Sequence, residues 1–360
     1  MKRRKFAKNI ALGVMAIQAL PSLATNLKSS ISRIPIGLCN HSLRSMRLDA
    51  QQLIQYAIDQ KLDSVLLNTF QPFKSLDKKY LSDLRKLANS NGVSIYTGVG
   101  SISKYSTKFS DKYGSAEELL TEGLRVAKAV GSPVVGVRIG MIDDRFTEGG
   151  IEVHMEEVIR VMKLLRSQVS DAGVKLAFEN HAGDLRIKEL LTIINETGTD
   201  ICGALFDPAN AVWAMEDPMK ALQNLGANII CTSVRDVQVW ETKEGAISQG
   251  MAIGDGMLDF KRYSKTMAEL CPGVPLHIET ISNSAQQIPF QNPDFWKGFS
   301  GLSMDNIADF IRFIKRGTPQ LIIKPPTGNN KREFDIELQQ TELLKSFKYL
   351  RAICNIGLKF

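Results

Sequence analysis

The sequence predicts a single-domain (β/α)8 TIM barrel of the α/β class, followed by a C-terminal helical extension. Beyond residue 30, short apolar or β-branched runs alternate eight times with segments of helical period. Such alternation predicts parallel strands joined by crossover helices, and eight of these strands close into a barrel. The predicted strands are Ile34–Cys39, Ser64–Asn68, Val93–Thr97, Pro133–Ile139, Val174–Glu179, Ile201–Asp207, Asn228–Val234 and Pro275–Thr280.

Between the strands, apolar residues recur at helical spacing, and several of these segments end in a glycine, as at Gly92, Gly131 and Gly173. A doubly wound sheet would place a glycine-rich phosphate turn after the first strand, but residues 37–41 read GLCNH. We therefore assign residues 30–320 to the barrel and 321–360 to an extension packed on it. The predicted helices are Ala50–Gln60, Leu81–Asn91, Ala116–Val130, Met155–Ala172, Ile187–Glu196 and Phe260–Leu270.

The composition of the 360-residue chain is that of a globular protein, with 44% hydrophobic and 23% charged residues. Its mean hydropathy is −0.09, and no long apolar run follows the first 25 residues, which excludes a polytopic membrane protein. The five cysteines form no CxxC pair. They are expected to be buried free thiols rather than disulfides or zinc ligands.

Residues 1–24 predict a cleavable export signal, with a basic start, an apolar stretch and a small-residue end at Ser22-Leu23-Ala24. The sequence RRKFAK at residues 3–8 resembles a twin-arginine signal, which predicts a periplasmic or otherwise exported protein. Five cationic residues and no acidic residue lie in this segment, so only two of the seven net positive charges belong to the remainder. A nearly neutral remainder argues against nucleic acid as a partner.

Polar side chains lie at the carboxyl ends of the last four predicted strands, which is the edge where barrels place their active sites. The strand period puts Glu179 and His181 on one face, and likewise His277 and Glu279. Buried carboxylates at several strand ends would repel one another, and a divalent cation would relieve that repulsion. The four strand ends read FENH (178–181), FDPAN (206–210), SVRD (233–236) and HIET (277–280).

These strand ends, together with FENHAGDL, FDPANAV, IGDGMLDF and the tail NPDFWKGF, resemble the sugar phosphate isomerase/epimerase family of the xylose isomerase-like barrel superfamily, in an exported branch. The resemblance implies that Glu179, Asp207 and Glu279 are three of four ligands to a divalent metal (Mn, Mg, Co or Zn). The usual fourth ligand is a histidine, and Ser233 stands at that position in this chain. A serine hydroxyl is a poor replacement for imidazole. Three alternatives follow: the metal is bound more weakly with water in that place, His181 or His277 provides the fourth ligand, or the site is metal-free.

The resemblance also implies a mechanism in which a proton is removed from the carbon beside a carbonyl and an enediolate forms. Glu179 and Glu279 would act from opposite faces of the substrate. Sugar hydroxyls would be held by Arg235, His181 and Asn210, with His277 and His41 as further pocket residues, whereas His154 is expected on the surface.

The sequence does not distinguish between three functions. The first is a metal-dependent isomerase or epimerase of a non-phosphorylated keto-sugar or polyol. The second is a 3-keto-glycoside lyase, whose aglycone would contact the aromatic residues of the loop 282–301, Phe290, Phe295 and Trp296. The third is a non-catalytic sugar-binding protein, which the loss of a ligand at Ser233 would permit. No stable membrane partner is expected. A homo-oligomer is left open, because some members of the family that the chain resembles dimerise, while no stretch of this sequence marks an interface.

Overall fold

The computed structural model describes residues 33–281, 283–326, 328 and 330–359. The predicted export signal at residues 1–24 lies outside the described residues. No helix of the described part combines the length and the apolar character needed to cross a membrane.

All eight predicted strands are present and form one parallel sheet in the order β10-β1-β2-β3-β4-β5-β6-β7. The sheet closes between its two edges through Val234, whose amide donates to His277 O at 2.8 Å and whose carbonyl accepts from Glu279 N at 2.9 Å. The predicted (β/α)8 barrel is therefore confirmed. The strands are β1 (Ile36–Cys39), β2 (Ser64–Leu67), β3 (Ser94–Ser101), β4 (Val134–Arg138), β5 (Lys175–Glu179), β6 (Cys202–Phe206), β7 (Ile229–Thr232), β8 (Asp236–Thr242), β9 (Gly245–Met251), β10 (Leu276–Ile278) and β11 (Ala285–Ile288).

The helices pack around the barrel, and each predicted helix is present. The predicted segment Met155–Ala172 is two helices, because Leu165 has φ −96° and ψ 11° and interrupts the α-helical backbone. The helices are α1 (Ala50–Asp59), α2 (Lys78–Ser90), α3 (Ala116–Val130), α4 (Gly150–Leu164), α5 (Arg166–Ala172), α6 (Ile187–Thr197), α7 (Pro208–Trp213), α8 (Pro218–Leu225), α9 (Phe260–Leu270), α10 (Ala308–Ile314) and α11 (Lys331–Ala352).

The inside of the barrel is filled by side chains that point inward from alternate strands. Buried residues of this interior are Cys39, Leu66, Val134, Ala177, Leu205 and Cys231. A side chain at Gly37 would not fit, since its Cβ would lie 2.4 Å from both His277 Cδ2 and Ser64 Oγ. The cysteines are free thiols, and four of the five are buried.

A second sheet, which the sequence did not predict, is formed by the antiparallel strands β11, β9 and β8. It begins directly after Arg235, at Asp236. The buried Asp236 carboxylate accepts hydrogen bonds from the amides of Val237, Gly254, Gly256 and Leu258, at 2.9 to 3.1 Å. Asp236 thereby joins the second sheet to the segment that leads into α9.

The C-terminal helix α11 packs against the 3₁₀ helix Asn40–Met46, which follows β1. Its buried face includes Leu343, Phe347 and Leu350. Gln339 donates from Nε2 to Ser45 Oγ at 2.8 Å. Helix α11 therefore supports the first loop at the carboxyl end of the barrel.

Two neighbouring leucines test how much this packing contributes to stability. Leu343 is fully buried, whereas Leu344 is 44% exposed. We expect Leu343→Ala to lower the free energy of unfolding by about 2–5 kcal/mol, because it leaves a cavity. Leu344→Ala should change it by about 0.5 kcal/mol or less, because it removes little buried surface. Urea unfolding measures both, and equal losses would contradict the packing described.

Candidate active site

Three buried carboxylates, those of Glu179, Asp207 and Glu279, converge at the carboxyl end of the barrel. Each offers an oxygen atom within 4.8 Å of the other two. Glu179 is the last residue of β5, Asp207 follows β6, and Glu279 follows β10. We call these three residues the acidic triad. Their meeting confirms the sequence expectation that carboxylates converge at this edge.

Asp207 is fixed by its position at the start of α7. As the N-terminal cap of that helix, it accepts hydrogen bonds at Oδ1 from Ala209 N at 2.8 Å and Asn210 N at 3.2 Å. The side chain of Asn180 donates from Nδ2 to Asp207 O and accepts at Oδ1 from Asp207 N, at 2.9 Å each. Burial raises the pKa of Asp207 to about 6, although Arg235 opposes the rise.

Arg235 binds two members of the acidic triad. Its Nη1 forms an ion pair with Asp207 Oδ2 and lies 3.7 Å from Glu279 Oε2, while Nη2 donates to Asn210 Oδ1 at 2.7 Å. Ser233 Oγ donates to the same Glu279 oxygen. The serine at the usual histidine position thus faces the triad, and an arginine beside it supplies positive charge.

Glu179 is held by two residues that the sequence reading missed. Arg138, the last residue of β4, brings Nη1 to 3.5 Å from Glu179 Oε2, and Asn68 Nδ2 also lies 3.5 Å from that oxygen. The other oxygen, Oε1, is buried without a hydrogen-bond partner in the described structure. Burial raises the pKa of Glu179 to about 8, and the negative charges of Glu279 and Asp207 add to the rise, whereas Arg138 opposes it.

His181 lies at the mouth of the barrel, with Nδ1 bonded to Gly140 O. Because a carbonyl oxygen only accepts, Nδ1 carries the hydrogen and Nε2 remains an acceptor. Burial lowers the pKa of His181 well below its ordinary value, which keeps the ring neutral. Asp184, also missed in the sequence, orients this region by accepting from His181 N at 2.8 Å and Gly140 N at 3.1 Å.

The remaining histidines differ in their positions. His41 is half-buried in the turn after β1, and its pKa is lowered by burial, with Glu279 opposing and Arg138 adding to the effect. His277 lies deeper, inside the barrel, with Nε2 3.1 Å from Ser64 Oγ and Nδ1 3.1 Å from Thr232 O. It has no exposed surface, so the structure does not place it beside the other candidate substrate-binding residues.

One expectation about another residue is wrong. His154 is buried rather than on the surface, with its ring nitrogens 2.9 Å from Ser103 Oγ and 2.8 Å from Thr147 Oγ1. Helical period alone could not show this, because the loops that cover α4 come from other parts of the chain.

The three aromatic residues expected to contact an aglycone differ in burial. Phe290 and Phe295 are buried and pack against Phe310 and Phe299, respectively. Trp296 is half-buried and donates from Nε1 to Phe290 O at 2.8 Å. Contact of this loop with an aglycone stays a prediction.

The triad residues fit a divalent cation. The three carboxylates place oxygens within 4.8 Å of one another, close enough to bind one ion together. Glu179 Oε1 is a buried acceptor to which no group in the described structure donates. Hard cations such as Mg²⁺ and Mn²⁺ prefer carboxylate oxygens of this kind. Glu179, Asp207 and Glu279 would hold the ion, with Ser233 and Arg235 on the side of the usual fourth ligand.

The sequence profile of the xylose isomerase-like TIM barrel family matches residues 56–297. The chain belongs to this family. The resemblance seen in the sequence is therefore confirmed at the level of the family, and the assignment to an exported branch stays a prediction. Among curated proteins, the uncharacterized protein YihM of Escherichia coli (strain K12) is 25% identical over 114 residues, which are 32% of this chain and 35% of YihM. The match thus spans about a third of the length of YihM.

Solved structures share the fold at low sequence identity. D-psicose 3-epimerase from Clostridium cellulolyticum H10, solved with D-tagatose, has a TM-score of 0.56 and 13% identity, covering 78% of this chain and 99% of the epimerase. The E. coli 3-keto-D-glucoside 4-epimerase YcjR has a TM-score of 0.53 and 11% identity, covering 78% and 99%. The IolI protein, solved with a zinc atom, has a TM-score of 0.52 and 14% identity, covering 78% and 96%.

Removal and addition of a metal test the acidic triad directly. If the triad binds Mn²⁺, the ion should raise the free energy of unfolding by about 2.7 kcal/mol at a concentration about 100 times its Kd. A Glu179→Gln/Glu279→Gln variant should lose this stabilisation and its bound metal, measured by urea unfolding and elemental analysis. Glu157→Gln is the control, because Glu157 is equally buried but lies on α4. Equal stabilisation of all three proteins would contradict the site.

The affinity for Mn²⁺ should depend on pH. Burial raises the pKa of Glu179 to about 8 and that of Asp207 to about 6, so in the free protein each carboxyl holds its proton to a higher pH than usual. A metal must displace these protons. We expect Kd to fall by up to about tenfold per pH unit between about pH 6 and 8 and then to level off. Calorimetric titration would show this, and a Kd unchanged from pH 6 to 8 would contradict it.

Proposed function

We propose that the protein is a divalent-metal-dependent sugar isomerase or epimerase that acts on a non-phosphorylated keto-sugar or polyol. The observation that carries the proposal is the buried acidic triad at the barrel mouth, in which Arg138 lies beside Glu179 and Arg235 pairs with Asp207. Family membership supports an isomerase/epimerase-type enzyme, and the sugar epimerases with the same fold support a sugar substrate.

Proton transfer beside a carbonyl needs a base within reach of the carbon. Glu179, whose Oε1 is buried without a hydrogen-bond partner in the described structure, would take the proton from the carbon. Glu279, whose Oε2 is bonded to Ser233, would return a proton from the other side. A divalent cation held by the triad would polarise the substrate carbonyl.

The neighbouring polar groups would orient the sugar. Asn210 and Arg235 lie together at the triad and can donate to hydroxyl oxygens. The unprotonated Nε2 of His181 can accept from a hydroxyl group, because Nδ1 is bonded to Gly140 O. His41 lies in the 3₁₀ helix Asn40–Met46 that follows β1. Arg138 and Asn68 hold Glu179 in position from β4 and β2.

A 3-keto-glycoside lyase is the second candidate. The same proton abstraction beside a 3-keto group, with a leaving group one carbon further on, expels the aglycone as the new carbon–carbon double bond forms. The observation that favours it is the fold shared with 3-keto-D-glucoside 4-epimerase, whose substrate is a keto-glucoside. A third candidate, a sugar-binding protein without catalysis, is favoured by Ser233 in place of a ligand.

Isotope exchange in D₂O distinguishes these candidates. With D-fructose, D-psicose, D-tagatose and 3-keto-glucosides, an isomerase or epimerase returns rearranged sugar, with deuterium entering at the carbon beside the carbonyl when the base exchanges its proton with water. A lyase yields two fragments, and a binding protein leaves the sugars unchanged. We expect Glu179→Gln and Glu279→Gln each to lower kcat by about 10²–10⁴-fold.

Glu157→Gln again serves as the control and should retain wild-type turnover, because it lies outside the site. Turnover that survives in both triad variants would overturn the assignment of the acid–base pair. Binding of a sugar without exchange or products, in protein saturated with Mn²⁺, would favour the third candidate instead.

A further inference from the structure

A cavity of about 410 Å³ lies beside the acidic triad, at the carboxyl ends of β2, β3 and β4. Its walls combine three aromatic rings, those of Phe70, Phe73 and Tyr113, with three cationic side chains, those of Lys108, Lys112 and Arg138. None of the residues that line it is acidic. We call this cavity the cationic pocket.

Arg138 connects the cationic pocket to the triad. The same side chain that lines the pocket brings Nη1 to 3.5 Å from Glu179 Oε2. Because Arg138 contacts Glu179 and also lines the pocket, one side chain separates the cationic pocket from the triad.

The two lysines of the cationic pocket differ from nearby Lys104 in whether a carboxylate lies close to the side chain. Lys104 lies 3.7 Å from the carboxylate of Glu157. In the part of the chain that the structure describes, neither Lys108 nor Lys112 has a carboxylate within ion-pair distance, and Lys112 Nζ lies 5.2 Å from the centre of the Tyr113 ring. The positive charge of the pocket is thus not neutralised by a neighbouring acid.

The aromatic walls indicate what kind of framework would fit. Phe70 and Tyr113 meet edge to face with their ring centres 5.1 Å apart, and Phe70 packs similarly on Phe73 at 6.4 Å. Such rings pack well against a planar group or the apolar face of a sugar. The cationic side chains of Lys108, Lys112 and Arg138 would attract an anion on that framework.

We propose that the cationic pocket binds the aglycone end of the substrate, and that this end is a planar framework carrying a carboxylate or sulfate group. The proposal rests on the proposed function for the position of the reacting sugar at the triad, and on a keto-glycoside as the substrate, because a free sugar carries no aglycone. It narrows that substrate class to acidic glycosides.

Matched ligands test the proposal by binding alone. The probes are 4-carboxyphenyl β-D-glucoside, phenyl β-D-glucoside and glucose 6-phosphate, titrated by calorimetry into the full protein at low salt. We expect the carboxyphenyl compound to bind about tenfold more tightly than the phenyl compound, since two or three partly exposed charge pairs contribute modestly each. The preference should weaken in 0.5 M NaCl, because salt screens exposed charges.

The variant Lys108→Gln/Lys112→Gln should reduce the tenfold preference to about twofold or less. Lys86→Gln/Lys104→Gln is the control, because it removes the same charge from exposed lysines outside the pocket and should keep the preference. Thermal unfolding establishes that both variants are folded, which is expected because all four lysines are exposed.

Equal affinity for the two phenyl compounds in the wild-type protein would overturn the proposal. So would a preference that persists in Lys108→Gln/Lys112→Gln, or glucose 6-phosphate binding as tightly as the carboxyphenyl compound, which would put the anion on the sugar itself. The isotope-exchange experiment separates this from the proposed function: exchange without anion preference removes only the pocket assignment, and anion preference without turnover removes only the enzymatic one.

Discussion

The mutual repulsion of three buried carboxylates is the constraint on which the rest of the site depends. Carboxylates this close stay charged only when opposite charge or hydrogen-bond donors surround them. The chain provides Arg138 for Glu179, Arg235 for Asp207 and Glu279, and helix-capping amides for Asp207. The compensation is incomplete at Glu179, whose pKa is raised and whose Oε1 has no partner in the described structure. A bound cation would complete this compensation.

Ser233 stands where a histidine ligand is usual, and Arg235 lies beside it. The site therefore differs in charge and in its metal ligands from one that contains the histidine. A histidine would contribute a neutral nitrogen to the metal, whereas Arg235 contributes a fixed charge that binds the same carboxylate oxygens. A cation at the triad would therefore compete with the arginine for Asp207 and Glu279. A site of this kind would bind its metal less tightly and hold more positive charge at the substrate than a site with four ligands.

The position of the site follows from closure of the barrel. The hydrogen bonds of Val234 to His277 and Glu279 join β7 to β10 at the point where Ser233 and Glu279 meet. Asp236 fixes the chain immediately after Arg235 through four backbone amides. Helix α11 packs against the 3₁₀ helix Asn40–Met46, which carries His41. Loss of any of these contacts would move a triad residue or one of its partners.

The sequence by itself determined the barrel and its eight strands, because strand period is a local feature that a single chain displays. It also placed carboxylates at the strand ends, and the family resemblance selected Glu179, Asp207 and Glu279 among them. Only the tertiary structure showed that Arg138 and Asn68 hold Glu179, since they lie on strands distant in the chain. The same is true of the buried His154, the interior His277 and the cationic pocket. Each depends on which segments distant in the chain fold against one another, and that is decided by tertiary packing.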